Sequence, residues 1–461
     1  VSPNPEIPSR VIDAIESLGH EIDTLAQRQA ELAQAAGLTD QTATRLTIFH
    51  SYIWVMLVAF VVTLCATPIM RRIAIASGII DHPIDQRKVH RMPIAYLGGA
   101  AVFLGLLAGI LFSYLAIGRQ GLMKFHTISP EHLNDAFEPY GVPLSIVVGI
   151  IIITVVGLWD DVVGIPPWTK IGGQLFAAGL LAYEDVGTKV AAGVLIPVAA
   201  FLGIDTIAHP GTGLDTLGFT LPIPLVGSFF IDVVYWAGAI VIALFVLGGC
   251  NASNLVDGLD GLLTGVTSIA AVGLLFLALS LALADDGPRD AQRIILCMAL
   301  LGACLGFLPH NFNPASIFLG DCGSMLLGFT TIVIILTLGD TGKTHLVFAG
   351  LFIYAIPIID TVLAIVRRKL SGQSISSADD QHLHHMLKRA LGVKGAVLTL
   401  YALGVGFAAL GVAMSLGRAR VSYALALLFA SYVGVTAIKV ARIRHIEGAA
   451  ATAAAKREGS P

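Results

Sequence analysis

Charge is scarce in this chain: only 13% of its 461 residues are Asp, Glu, Lys or Arg, while 56% are hydrophobic. A soluble domain of that length cannot hide so much apolar surface, because the buried fraction of a globule grows slowly with size. The formal net charge of −3 says little about partners, so the placement of charge matters more than its total, and no nucleic-acid partner is expected. Cysteine is sparse too. Cys65, Cys250, Cys297, Cys304 and Cys322 lack metal-ligand spacing and mostly sit in or beside apolar runs, as small buried residues do. No cleavable signal peptide is visible, since the first 48 residues are polar and the first apolar run comes later.

What the chain does have is apolar runs of about 20 residues, the length that crosses a bilayer as a helix. They predict an all-α polytopic membrane protein of about eleven transmembrane helices, centred on 50–70, 97–117, 142–159, 170–184, 231–250, 261–284, 293–309, 324–339, 346–366, 395–415 and 421–438. A twelfth run, 190–203, creates a problem. If it crossed, the polar clusters before and after it would face opposite sides. One active site built from those clusters requires it to be re-entrant, interfacial or packed on the bundle. The stretch 205–229, rich in Gly, Pro and Thr, reads as a loop or hairpin. Three regions result: a polar leader over 1–48, a transmembrane domain over 49–440 and an Ala-rich basic tail over 441–461. In the leader, Val11, Ile15, Leu18, Ile22, Leu25 and Leu32 follow heptad spacing. That suits a short coiled coil joining two protomers, and equally an amphipathic helix on the bilayer.

Basic residues orient the chain. One side receives Arg71, Arg72, Arg87, Lys88, Arg91, Lys170, Arg367, Arg368, Lys369, Lys388, Arg389, Lys394 and the tail; the other receives Arg119, Lys124, Arg289, Arg293, Lys343 and a few others. The first side is read as cytoplasmic, with the N-terminus outside and the C-terminus inside. A plasma-membrane or inner-membrane location follows.

Every unusual polar cluster falls on that face. Asp81-His82-Pro83-Ile84-Asp85-Gln86-Arg87-Lys88 follows the first helix, where topology anchoring or lipid-headgroup contact is the ordinary role. Asp160-Asp161 ends the third helix, with Lys170 nine residues beyond. Adjacent carboxylates at a helix mouth repel, so solvation, a shared proton, Lys170 or a divalent cation must compensate. Asn251, Asn254, Asp257 and Asp260 fall within ten residues, interleaved with Gly258 and Gly261, and such hard oxygen donors suit Mg²⁺. Asp321 lies between glycines before another helix, where free N–H groups favour anions and capping is its plain role. Asp360 reads as a structural contact between helices. Last come Arg367 and Arg368, then His382, His384 and His385, which no acid or cysteine completes into a zinc site.

The stretches RKVHRMPIAYLGG, WDDVVGIPPWTK, NASNLVDGLDGL, NPASIFLGDCGS and HLHH, in this order, resemble the polyprenyl-phosphate N-acetylhexosamine-1-phosphate transferase family over about residues 50–440. Arg-Arg followed by H-x-H-H is similar to its WecA/TagO-like branch, whereas the related enzymes using UDP-MurNAc-pentapeptide carry three consecutive histidines. The resemblance implies Asp321 as principal Mg²⁺ ligand, Mn²⁺ being a substitute, with Asn254 as helper. It implies that Asp160 deprotonates or orients the lipid phosphate, supported by Asp161. Lys88 and Lys170 would bind phosphate, and Asn251, Asp257 and Asp260 would serve the nucleotide or sugar. Arg367, Arg368, His382, His384 and His385 would hold the diphosphate and sugar. The implied partners are a UDP-N-acetylhexosamine, undecaprenyl or another polyprenyl phosphate, and membrane lipid. Three features depart from the pattern: the leader, the long 185–229 stretch, and Asp380 where a basic residue is common. A secondary transporter is the rival class, but it calls for repeated halves and midplane binding sites, and no repeat is apparent.

Overall fold

The computed structural model describes residues 44–81, 93–119, 141–208, 215–223, 227–287, 289–370 and 382–429, together with 122, 123, 125, 431, 432 and 435. In chain order its helices are α1 (Arg45–Ala76), α2 (Gly98–Gly118), α3 (Leu144–Val163), α4 (Pro167–Tyr183), α5 (Ala192–Phe201) and α6 (Val233–Val256). Then follow α7 (Leu262–Leu283), α8 (Asp290–Asn311), α9 (Gly320–Thr337), α10 (Thr344–Ile353), α11 (Ala355–Leu370), α12 (Leu383–Leu416) and α13 (Ala419–Phe429). Among the described residues, eight of these are long and apolar enough to cross a membrane, or nine if α10 and α11 form one span bent by 84°. The protein is therefore a helical, multi-pass membrane protein. The remaining two expected spans correspond to α4, which has 17 residues, and to α13, whose run continues outside the described residues.

Burial ranks the helices by role. In α9 94% of the span is buried inside the protein and in α8 89%, against 28% in α1 and 33% in α6. The first pair is the core of the bundle; the second presents apolar side chains such as Trp54, Val61, Ile240 and Leu244 outward. Lipid supplies no hydrophobic drive between helices, so close van der Waals packing and hydrogen bonds hold them together. Around α9 pack α3 and α6, while α8 lies against α7 and α2.

Two short pairings matter for the site. Strands β1 (Ile80–Asp81) and β2 (Ile94–Ala95) pair antiparallel, and Ala95 also bridges Ile317, which ties the end of α1 to the segment entering α9. Residues 82–92 between them, Lys88 included, lie outside the described ones, as do the leader up to 43, Asp380 and the tail from 441.

After α5 come β3 (Ile207–Ala208) and β4 (Asp215–Thr216), then β5 (Gly218–Ile223) and β6 (Gly227–Asp232), the last two paired from Gly218↔Asp232 to Ile223↔Gly227. Of the loop or hairpin expected over 205–229, the structure has the hairpin. Asp232 ends it and caps α6, accepting from Tyr235 N at 3.0 Å. The ten-residue α5 is too short to cross a bilayer. Just before it, Val190 O accepts from Thr344 Oγ1 at 2.5 Å, so this segment is packed on α10, one of the arrangements the sequence demanded.

Candidate active site

The site grows from the junction of α3 and α9. The first N–H groups of a helix have no partner within it. Here Asp161, in the last turn of α3, accepts from Asp321 N at 2.8 Å through one oxygen and from Cys322 N at 3.0 Å through the other. Asp161 is thereby a clamp that fixes where α9 begins, with both oxygens occupied. Gly320 has φ +73°, and a β-carbon on it would lie 2.5 Å from Asp161 Oδ2. Gly320→Ala should therefore strain the backbone and displace the clamp. A shift of that size is expected to lower turnover by at least about tenfold, checked by steady-state kinetics at a temperature where the variant stays folded.

Asp321, so aimed, meets residues from two other helices. Its Oδ2 lies 2.5 Å from Lys170 Nζ of α4, and its Oδ1 accepts from Asn254 Nδ2 of α6 at 2.7 Å. Lys170 also lies 2.6 Å from Asp160 Oδ2, while Asp160 Oδ1 is held by Ile165 N at 2.9 Å. One ammonium thus sits between two carboxylates that the chain separates by 161 positions. The same carboxylates, with Asp161, Asp81 and Tyr96, line a cavity of about 540 Å³ next to the end of α1.

A second group adjoins the first. Asp257 ends α6, and its carboxyl is pushed up to about 8 by burial and by the neighbouring carboxylates of Asp321, Asp161 and Asp260. Asp260 Oδ2 accepts from Asn313 Nδ2 at 2.9 Å and Ala315 N at 3.0 Å, which pins the 257–261 turn to the segment before α9. His384 comes from the start of α12: a β-carbon on Gly258 would lie 2.5 Å from its Nε2. Asp360 of α11 holds that histidine segment, accepting from Leu383 N at 2.7 Å and lying 3.0 Å from His382 Nδ1 and 3.5 Å from His384 Nδ1. His385 stacks at a tilt on His384, with ring centroids 4.2 Å apart. The 251–261 and 382–385 segments therefore lie at the same end of the bundle.

The structure brings together Asp160, Asp161, Lys170, Asn254 and Asp321, with Asp257, Asp260, His382, His384 and His385 alongside. Asn251 Nδ2 donates to Gln174 Oε1 at 3.0 Å and Leu247 O at 2.8 Å, which links α6 to α4. Arg367 and Arg368 fall in the last turns of α11. Sequence reasoning placed Asp81 in a cluster read as topology anchoring or lipid-headgroup contact and gave no role to Tyr96; the β1–β2 pairing brings Asp81 to the cavity.

The donors fit a hard divalent cation. Asp160 and Asp321 already converge on one positive centre, and the neighbouring carboxylates that add to burial in raising Asp257 are of the kind a cation relieves. Among the described residues no three His, Cys, Asp or Glu side chains form a closed cage. Mg²⁺ does not need one, because it keeps several of its waters.

A family model described as glycosyl transferase family 4 matches residues 143–339, the stretch that carries all five residues of the first group. The decaprenyl-phosphate N-acetylglucosaminephosphotransferase of Mycobacterium tuberculosis (strain ATCC 25618 / H37Rv) is 32% identical over 377 residues, covering 78% of this chain and 81% of that protein. This chain belongs to glycosyl transferase family 4. A decaprenyl-phosphate N-acetylglucosaminephosphotransferase of Mycolicibacterium smegmatis is 33% identical, over 78% of this chain and 81% of that protein. The undecaprenyl-phosphate alpha-N-acetylglucosaminyl 1-phosphate transferase of Salmonella typhi is 30% identical, over 69% and 72%. For a member of glycosyl transferase family 4, the arrangement of Lys170, Asp160 and Asp321 is a charged centre at the end of a membrane bundle, suited to phosphoryl chemistry.

Proposed function

We propose that this enzyme transfers N-acetylglucosamine 1-phosphate from its UDP-sugar to a polyprenyl phosphate of the undecaprenyl class, releasing UMP and making the first lipid-linked intermediate of an envelope polysaccharide. The observation that carries the reading is Lys170 held between Asp160 and Asp321, with Asn254 on the second carboxylate. Two anions must meet in such a reaction, and Mg²⁺ held by Asp321 and Asn254, or Mn²⁺ in its place, would screen their repulsion and stabilise charge on the departing UMP.

The chain's own groups do the positioning. Asp160 keeps one oxygen on Ile165 N and offers the other to the acceptor phosphate, orienting it or taking its proton. Lys170 is a compact charge on a flexible stem and exchanges a carboxylate for a phosphate oxygen as substrate enters. Asp257 and His384, next to Gly258, bound the space for the nucleotide or sugar, with His382, His385, Arg367 and Arg368 toward the diphosphate. Lys88 belongs to the lipid-phosphate side. Most of the rate gain is positioning and electrostatics, as in other phosphoryl transfers.

The enzyme sits in the plasma membrane with eleven spans, its active loops and C-terminus cytoplasmic and its N-terminus outside. Support comes from the bases assigned to the outer side: Arg289, Arg293 and Lys343 are each spent on Asp340, Asp286 or Asp290. The leader joins two protomers or lies on the bilayer.

The test is direct. Purified protein with undecaprenyl phosphate and Mg²⁺ should release UMP from UDP-N-acetylglucosamine at least about tenfold faster than from other UDP-aminosugars, and EDTA should stop it. UMP release from none of the UDP-sugars would end the reading. Substrate uptake by liposomes, unaffected by loss of Asp160 or Asp321, would favour a transporter.

A further inference from the structure

Tyr96 lines the same cavity as Asp81, Asp160, Asp161 and Asp321, and its position owes nothing to chance packing. Its backbone N donates to Ile79 O at 3.1 Å. On either side, Phe318 N donates to Ala95 O at 2.9 Å and Gly98 N donates to Phe318 O at 2.9 Å. The ring stands edge-on to Phe318, with centroids 5.9 Å apart and planes at 79°. A half-buried ring fixed in this way presents its hydroxyl with little conformational freedom left to lose.

The walls around it are carboxylates, which repel a phosphate. Burial and the charges of Asp81, Asp257, Asp161 and Asp321 push the phenol's ionisation well above its ordinary value, so the group stays a neutral donor. A neutral O–H can hold a phosphate oxygen without adding either charge to a crowded site. The cavity is also bounded by the apolar side chains of Ile79, Ile80 and Val162, the last of them 52% exposed.

We propose that Tyr96 is a substrate-positioning residue whose hydroxyl donates a hydrogen bond to a phosphoryl oxygen of the anion seated in this cavity. The inference rests on the transferase reading above. The oxygen can belong to the lipid phosphate, as the apolar rim favours, or to the sugar-nucleotide diphosphate.

The experiment compares wild type, Tyr96→Phe and Tyr96→Leu as full-length proteins, following UMP while each substrate is varied in turn. Tyr96→Phe keeps the ring and its contact with Phe318, so the thermal midpoint should match wild type. Its kcat/KM should fall by roughly tenfold to a hundredfold. A rise confined to the KM for polyprenyl phosphate assigns the bond to the acceptor, and one confined to the KM for the UDP-sugar assigns it to the diphosphate. A fall in kcat alone places it in the transition state. Tyr96→Phe with wild-type kinetics, beside an impaired Tyr96→Leu, would leave the ring as packing and overturn the proposal. Wild type that releases no UMP sinks the parent reading instead, whatever the variants do.

Discussion

Replacing Asp321 by Asn is expected to lower UMP release by at least about 10³-fold while leaving the protein inserted, monodisperse and as stable as wild type or more so. The change is nearly isosteric, so α9 still begins on the clamp of Asp161, which binds the backbone of 321 and not its side chain. What disappears is one negative charge at the point where three helices meet. Of its two carboxylate neighbours Lys170 keeps Asp160, and Asn254 loses a charged acceptor. The ground state gains, because a carboxylate pressing on Asp161 and Asp257 is gone; sites built for chemistry commonly hold such repulsion at a cost in stability. Activity and stability should therefore move in opposite directions. Asp161→Asn is the informative contrast: it weakens two hydrogen bonds to the start of α9, so both quantities should drop together. If Asp321→Asn retained a tenth of wild-type UMP release, this carboxylate would have no essential part in the reaction.

Hydropathy made most of the helices legible, since a run of apolar residues in a bilayer has few other conformations open to it. It was blind to breaks within a run. Residues 346–366 read as one span, yet the chain turns by 84° between α10 and α11. Likewise α12 contains Gly392 at φ +72°, which separates the histidine segment from the expected span at 395–415. Polar residues inside apolar surroundings stood out for the same reason, and Asp160, Lys170, Asn254 and Asp321 were visible before their distances were. Their partners were not. Asp161 resembles its neighbour in sequence but serves the backbone of α9, and Asn251 resembles Asn254 but faces α4. Those differences depend on which way one helical turn points. Tyr96 could not be found from sequence, because only the contact of Ala95 with Ile317 carries it to the carboxylates.

Position along the chain also misjudged Arg293, counted with the loop charges though it is wholly buried. Its Nε and Nη2 donate to Thr337 O at 2.9 and 2.6 Å, closing the end of α9, and its Nη1 reaches Asp290 at 2.6 Å and Asp286 at 3.1 Å. Beside it Arg289 lies 2.6 Å from Asp340, which accepts from Gly187 N at 2.6 Å, and Lys343 pairs with Asp286. Arg293→Met keeps the bulk of the stem but leaves two buried acids short of their counter-ion and a helix-end carbonyl open. The expected loss is about 3–5 kcal/mol, read as a lower midpoint of unfolding in detergent. The effect should stay at that end of the bundle. Arg293 and Asn311 stand at opposite ends of α8, about 27 Å apart at 1.5 Å per residue, and Asn311 is the one that accepts from Gly261 N beside the active site. Where the variant remains folded, both KM values should equal those of wild type. A loss under about 1 kcal/mol would mean that water or lipid headgroups already satisfy these acids, and that the outward charges are solvated rather than spent on one another.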